Sequence, residues 1–235
     1  MNSVNCTDIL TFNPGVKVDL VYLDPPFNSD RDFQQYDDRW SSMDEYLGFL
    51  VPRVKHCKSL LETNGNLLLH VDWRASHYLK VELDKFFGYD NFKNEIIWQY
   101  NSGGASKRHL SRKHDVILWW GFGDYTFNVK REPYATPNVQ GRKGFHPDGR
   151  MLTDVWNIPF LSTTSSERCG YPTQKPLALL ERIIQVFSDD GDIVLDGFCG
   201  SGTTGVAAKK LDRQYILCDE NPEAIKTVEE RLAKI

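Results

Sequence analysis

The stretch that most constrains this chain is Val18-Asp19-Leu20-Val21-Tyr22-Leu23 running directly into Asp24-Pro25-Pro26-Phe27. The first six residues form a short apolar run bounded by turn signals, which reads as a buried strand. Two prolines end it, because they remove backbone donors and fix φ. The residue before a proline is biased away from helix, so Asp24 is expected to be extended at the carboxyl end of the strand. In open α/β sheets ligands bind at that end. A carboxylate, the Pro25 carbonyl and the flat face of Phe27 offer two acceptors beside a stacking ring, which suits a planar group bearing an NH2. On these four residues alone, a plain strand-to-loop turn with a capping Asp stays open.

The rest of the chain alternates at both ends. Val4-Asn5-Cys6 reads as the end of a strand and Thr7 to Leu10 as the start of a helical turn. Asn28 to Trp40 is a polar surface loop. Ser42 to Glu62 has helical spacing, with Ser41 or Ser42 as N-cap and Asn64-Gly65 as a stop. Strands are expected at Asn66 to Val71, Asn94 to Tyr100 and Asp115 to Trp120, and a helix from Arg74 to Phe87. Regularity returns with a helix over Lys175 to Phe187, a strand at Asp192 to Leu195, a helix from Gly202 to Leu211, a strand at Gln214 to Cys218 and a helix over Pro222 to Lys234. This pattern predicts an α/β fold, a doubly wound, mostly parallel sheet in one domain over 1–235, with an irregular insertion at 101–171.

The insertion is where charge matters. Residues 101–170 hold ten Lys and Arg against six Asp and Glu, although the whole chain is at −4. A local basic face is therefore compatible with an acidic molecule. Lys107, Arg108, Arg112 and Lys113 are the expected phosphate contacts, against the bland reading of a solvated loop. Trp119 and Trp120 are expected in the core, and His146-Pro147-Asp148-Gly149 as a turn rather than a metal site. The five cysteines are widely spaced with no Cys-x-x-Cys pair. That is unlike a disulfide framework or zinc site and fits a reducing cytosol. No apolar run is long enough to span a bilayer and Met1-Asn2-Ser3-Val4 has no signal pattern, so a cytoplasmic protein without a membrane partner is expected.

A second motif, Asp196-Gly197-Phe198-Cys199-Gly200-Ser201-Gly202-Thr203-Thr204, joins a strand to a helix. Gly200 and Gly202 let the backbone turn tightly and approach a ligand. Thr203 stands where a P-loop needs lysine, which argues against ATP or GTP. A dinucleotide fingerprint is nearly met by Gly200, Gly202 and Gly205, but Asp196 ahead of them would repel a pyrophosphate. It favours instead a ligand with a cationic end, an ammonium or sulfonium, and so points to S-adenosylmethionine. Asp219, ending the next strand, is placed for ribose hydroxyls.

Taken together, the order Asp24-Pro25-Pro26-Phe27, a basic irregular middle, Pro172-Thr173-Gln174-Lys175-Pro176 and Phe198-Cys199-Gly200-Ser201-Gly202 resembles the amino-methylating DNA methyltransferases of the permuted β-type arrangement. The resemblance covers nearly the whole chain. It implies a Rossmann-like fold of the S-adenosylmethionine-dependent type, with circularly permuted motif order and 101–171 as target-recognition region. It implies that Asp24 and the Pro25 carbonyl, held by Pro26, accept hydrogen bonds from the target amine, that Phe27 stacks on a flipped-out base of double-stranded DNA, and that Asp24, Asp196, Phe198, Cys199, Gly200, Ser201, Gly202 and Thr203 line the cofactor site. Asp219 would hold ribose and Lys175 would pair near the methionine carboxylate. An Asp in the first motif position implies N6 of adenine rather than N4 of cytosine. Asn5 falls where the family has an Asp touching the cofactor's adenine, and Gly197 replaces a usual Pro. The short recognition region suggests that extensive base reading requires a homodimer or is absent, and the sequence leaves a restriction or recognition partner open. An RNA or protein-amide methyltransferase and a silent DNA-binding module are the other classes to be separated.

Overall fold

The computed structural model describes residues 2–33, 36–100, 105–136, 139 and 142–235. Residues 101–104 of the basic stretch and 34–35 of the polar loop lie outside them. In chain order the strands begin with β1 (Ser3–Cys6) and β2 (Val18–Leu23), followed by a small antiparallel hairpin, β3 (Arg31–Phe33) and β4 (Tyr36–Asp38). Helix α1 (Met43–Leu60) leads into β5 (Leu61–Val71), and α2 (Ser76–Phe87) into β6 (Phe92–Gln99) and β7 (His114–Gly121). The short strands β8 (Arg131–Glu132), β9 (Arg150–Met151) and β10 (Val155–Asn157) follow. The chain closes with α3 (Leu177–Phe187), β11 (Ile193–Asp196), α4 (Thr203–Lys210), β12 (Gln214–Asp219) and α5 (Pro222–Leu232).

Eight strands form one sheet in the order β1-β12-β11-β2-β5-β7-β6-β10. All neighbours are parallel except those of β7, which runs antiparallel to both β5 and β6. Strand β2 is central and buried but for Asp19, as a parallel strand covered on both faces must be. The side chains of Val21 and Leu23 join the core beneath α1 and α2, whereas Leu20 and Tyr22 join the core beneath α3, α4 and α5. The chain leaves β2 toward β5 but leaves β11 toward β12. The gap between β2 and β11 is thus the topological switch point, and the carboxyl ends of both strands open onto it.

The sheet departs from the sequence expectation at the junction of α1 and β5, and it contains the strand expected at Asp115 to Trp120. Asn64-Gly65 does not stop α1, which ends at Leu60; it lies inside β5, where the pairing with β2 shifts register between Val18 and Leu20. A Cβ on Gly65 would meet the Asp19 carbonyl at 2.8 Å, so the glycine serves close strand approach. Strand β7 falls within 101–171 yet is a fully integrated sheet strand, with Trp119 and Trp120 both buried. The indole N–H of Trp119 donates to Asn66 Oδ1 at 2.8 Å. The His146 to Gly149 segment is the expected turn, closed by Gly149 N donating to His146 O at 3.2 Å. Among the described residues no cluster of three metal-ligating side chains occurs, and no helix is long and apolar enough to cross a membrane.

Candidate active site

Asp196 pairs in register with Tyr22, so the two motifs meet at the switch point. Two cavities open there. The first, about 650 Å³, is lined by Asp24, Pro26, Tyr36, Lys175, the 196–204 turn, Asp8, Asp219 and Glu220. The second, about 560 Å³, is lined by Asp24, Pro25, Phe27, Tyr100, Arg112, Asp115 and Lys175. Asp24 and Lys175 belong to both walls.

The Asp24-Pro25-Pro26-Phe27 turn is held from three sides. The Tyr46 hydroxyl on α1 donates to the Pro26 carbonyl at 2.7 Å. Lys175 Nζ donates to both Asp24 oxygens, at 2.6 and 2.5 Å. The buried Asp38 gathers the following loop by accepting from Asn28 N at 2.7 Å and Ser29 N at 3.0 Å. Asn28 takes φ +56°, a left-handed conformation that Asn tolerates better than most residues. The hairpin that Asp38 closes shows that the polar loop after Phe27 is built, not merely surface chain.

The glycine turn is equally specific. Gly202, at φ +75°, precedes α4, and a Cβ there would meet Val228 Cγ2 at 2.7 Å. Asp219 accepts from Gly200 N at 2.8 Å and from Asn221 N at 2.9 Å. Asp196 accepts from Phe198 N at 3.0 Å and from the Thr204 hydroxyl at 2.5 Å. Burial nevertheless pushes the Asp196 carboxyl up to about 7, and the charges of Asp24 and Asp219 act in the same direction. Burial also raises the Asp219 carboxyl. A cavity with this carboxylate density and backbone cradle fits a ligand that carries a positive charge and ribose hydroxyls.

The sequence-expected residues are distributed as follows. Asp24, Lys175, Asp196, Phe198, Cys199, Gly200, Ser201, Thr203 and Asp219 all line the first cavity, and Gly202 shapes it from behind. Asn5 lines neither cavity: its amide donates to the Leu217 carbonyl and to Ser3 Oγ, both at 3.1 Å, tying β1 to β12. Asp8 does line the first cavity, clamped by Arg53 Nε at 3.0 Å. Lys175 contacts Asp24 itself rather than standing free for a carboxylate ligand. Its neighbour Gln174 is buried and supports the loop by accepting from Cys169 N at 2.9 Å and donating to the Glu167 carbonyl at 2.8 Å. Of the basic set, Arg112 lines the second cavity and lies over the exposed Trp73 ring at 3.8 Å. Lys107 and Arg108 are exposed on the same loop but line neither cavity, and the Lys113 carbonyl accepts from Tyr100 N at 2.9 Å.

Comparison with known proteins decides the family. The model of the N6/N4 DNA methylases matches residues 18–230. This chain belongs to the N6/N4 DNA methylase family. It is accordingly an S-adenosylmethionine-dependent DNA methyltransferase of the amino-methylating class. The methylase is 32% identical to type II methyltransferase M.HpaI of Haemophilus parainfluenzae, over 92% of this chain and 68% of the relative. It is 30% identical to DNA adenine methyltransferase YhdJ of Escherichia coli (strain K12), over 91% of this chain and 75% of the relative. Against type II methyltransferase M1.MboII of Moraxella bovis the identity is 31%, over 96% and 93%. The fold matches the M1.HpyAVI-SAM complex with TM-score 0.70 and 26% identity, each chain covered to 99%. The cytosine-N4-specific PvuII DNA methyltransferase, 16% identical, shares the fold with TM-score 0.75, over 98% of this chain and 86% of that one.

Proposed function

We propose that this methylase transfers a methyl group to the exocyclic N6 of adenine in double-stranded DNA, acting on a flipped-out base. The observation that carries this reading is Asp24, which faces both cavities at once. A base amine is buried within the stack of duplex DNA, so it must leave the helix to reach a carboxylate in a protein wall. The second cavity has Phe27 and Phe160 among its lining residues, which supplies aromatic faces for such a base. Asp24 and the Pro25 carbonyl accept from the amine hydrogens, which localises the nitrogen lone pair and aims it toward the first cavity. S-adenosylmethionine, when bound, supplies an electrophilic methyl on a sulfonium. Asp196 and Asp219 hold the cationic and hydroxylated parts of that ligand, and Gly200 and Gly202 allow the backbone to lie against it. In that transfer the N–CH3 bond would form as the S–CH3 bond breaks, its electron pair staying on sulfur as the departing neutral thioether, and the amine nitrogen would give up a proton, its N–H electron pair staying on nitrogen. Asp24 is the acceptor we assign to that proton.

Adenine is favoured over cytosine by the Asp at position 24 and by the adenine relative YhdJ. The test is direct. Protein, S-adenosylmethionine and unmethylated DNA are incubated, the DNA is digested, and the nucleosides are identified by mass. N6-methyladenine is expected; N4-methylcytosine would keep the chemistry and overturn the base, and product on RNA alone would overturn the substrate.

Residues 101–171 are the proposed target-recognition region, within which the Arg112 loop meets phosphate. For Arg112→Ala we expect weaker DNA binding and a salt slope reduced by about 1. Equilibrium binding across a salt series reads both; an unchanged slope removes Arg112 from the phosphate contacts. Because this region is short, reading a DNA sequence on this scheme also involves a second copy of the chain or a restriction or recognition partner. A cytoplasmic location belongs to the same reading.

A further inference from the structure

His70, on β5, is fully buried between the two cavities and has no part in the chemistry above. Its Nδ1 lies 2.7 Å from the Tyr22 hydroxyl, and Tyr22 lines the first cavity. Its Nε2 lies 3.5 Å from Asp115 Oδ2 without hydrogen-bond geometry, and Asp115 lines the second cavity, where Tyr100 donates to it at 2.9 Å. Among the described residues, His70 Nε2 is the one buried side-chain nitrogen or oxygen with no hydrogen-bond partner. Leaving such a group unmade is costly, and unsatisfied buried groups in folded proteins call for a specific cause. Around the ring stand Asp24, whose Oδ1 is 3.9 Å from Nδ1, the Phe27 ring at 5.7 Å and the Trp98 edge at 5.5 Å. The imidazole therefore touches the catalytic turn from beneath and reaches toward each cavity with a different nitrogen.

We propose that His70 is a positioning residue: Tyr22, His70, Asp115 and Tyr100 form a polar chain through the wall between the cavities, and a base entering the second cavity moves Asp115 onto the Nε2–H and so fixes Asp24 and Phe27. The proposal rests on the reading of Asp24 as the amine acceptor. In this arrangement the Tyr22 hydroxyl is the donor to Nδ1 and the Nε2–H faces Asp115. No proton crosses to substrate; the chain orients the turn. Burial works to raise the Asp115 carboxyl, yet His70, Lys175 and Tyr100 hold it below the ordinary value, so a carboxylate acceptor stands ready.

The test uses the different reach of two amides. An Asn at position 70 reproduces Nδ1 and loses the arm to Asp115; a Gln reproduces Nε2 and keeps it. In single-turnover methylation of DNA, His70→Asn is expected to slow transfer on the order of 10- to 100-fold, as a misplaced acceptor does. His70→Gln is expected to stay within about threefold of wild type, and cofactor and DNA affinities to stay within about threefold in both. Asp115→Ala should match His70→Asn, and the double variant should be no slower than either, because both remove one contact. Equal losses in Asn and Gln, losses that multiply, or losses carried by cofactor affinity overturn the proposal. If His70→Asn does not fold, nitrogen-15 NMR of the wild-type imidazole decides: protonation at Nε2 supports the chain and protonation at Nδ1 overturns it. Wild-type protein inactive on DNA overturns the functional reading instead, and the same spectrum still judges His70.

Discussion

Asp24→Asn should lower the rate of methyl transfer by about three orders of magnitude while the protein stays folded and binds its cofactor. Positioned acceptors and donors at a reacting group are worth roughly 10²- to 10⁴-fold. Asn is the informative substitution because of Lys175. That ammonium is nearly buried, with 11% of its side chain exposed, and it donates to both Asp24 oxygens. Removing the carboxylate to Ala would strand a buried cation, a change that destabilises strongly on its own. The amide of Asn turns its oxygen to Lys175 and thereby presents an NH2 to the incoming amine, donor against donor. Ground-state binding survives and the lone pair is no longer aimed. Single-turnover transfer, a cofactor titration and a thermal melt separate these effects. A loss under about tenfold with an unchanged melting curve would show that the Pro25 carbonyl suffices and that Asp24 only holds the turn.

The contrast between what was legible in the chain and what was not follows from range. Strand β2 and its ending were legible because six consecutive residues and two prolines encode them locally, and Val18–Leu23 is where the strand runs. The meeting of Asp24 with Asp196 was legible only through topology: alternating strands and helices place both at carboxyl edges, and the switch point brings them together. The supports were not legible. Tyr46 reads as an ordinary apolar position on a helical face, yet its hydroxyl holds Pro26. Asp38 sits in a polar run that looks like solvated loop, yet it is buried and caps the turn after Phe27. His70 reads as one interruption in an apolar strand. Each becomes meaningful only when a partner distant in sequence arrives. Asn5 differs in the opposite sense: its motif position suggested a ligand contact, and the structure places it outside both cavities with its amide donating to the β12 carbonyl.

The cofactor cavity carries a conflict between stability and function that Asp196→Asn should expose. Burial pushes the Asp196 carboxyl up to about 7, with Asp24 and Asp219 adding to the rise, against hydrogen bonds from Thr204 and Phe198 that lower it. Its unfolded value is near 3.8. Between those values the native chain binds more protons at this site than the unfolded chain does. Stability from this group is therefore greatest below pH 4, declines as pH rises, and is lost above about 7. The difference across that window is of order 2–4 kcal/mol. The Asn variant keeps the geometry: its oxygen accepts from Phe198 N and its NH2 donates to the Thr204 hydroxyl. It should match wild type near pH 4 and exceed it by that amount at pH 8, read as the difference between denaturant unfolding curves. The ligand reverses the balance. A cationic ligand favours the ionised carboxylate, so S-adenosylmethionine should bind wild type about tenfold more weakly at pH 6 than at pH 8. 5′-Methylthioadenosine keeps the nucleoside but lacks both cationic groups, and its affinity should change less than about twofold over the same interval. In Asp196→Asn the pH dependence of S-adenosylmethionine binding should shrink to what Asp219 and Glu220 contribute, with its affinity weakened throughout. Parallel pH dependence of the two ligands in wild type, or a variant no more stable at pH 8, would mean that Asp196 is ionised by its hydrogen bonds before any ligand arrives. The carboxylate would then cost the fold nothing, and the preference for a cationic ligand would have to come from Asp219, Asp8 and Glu220 in the same cavity.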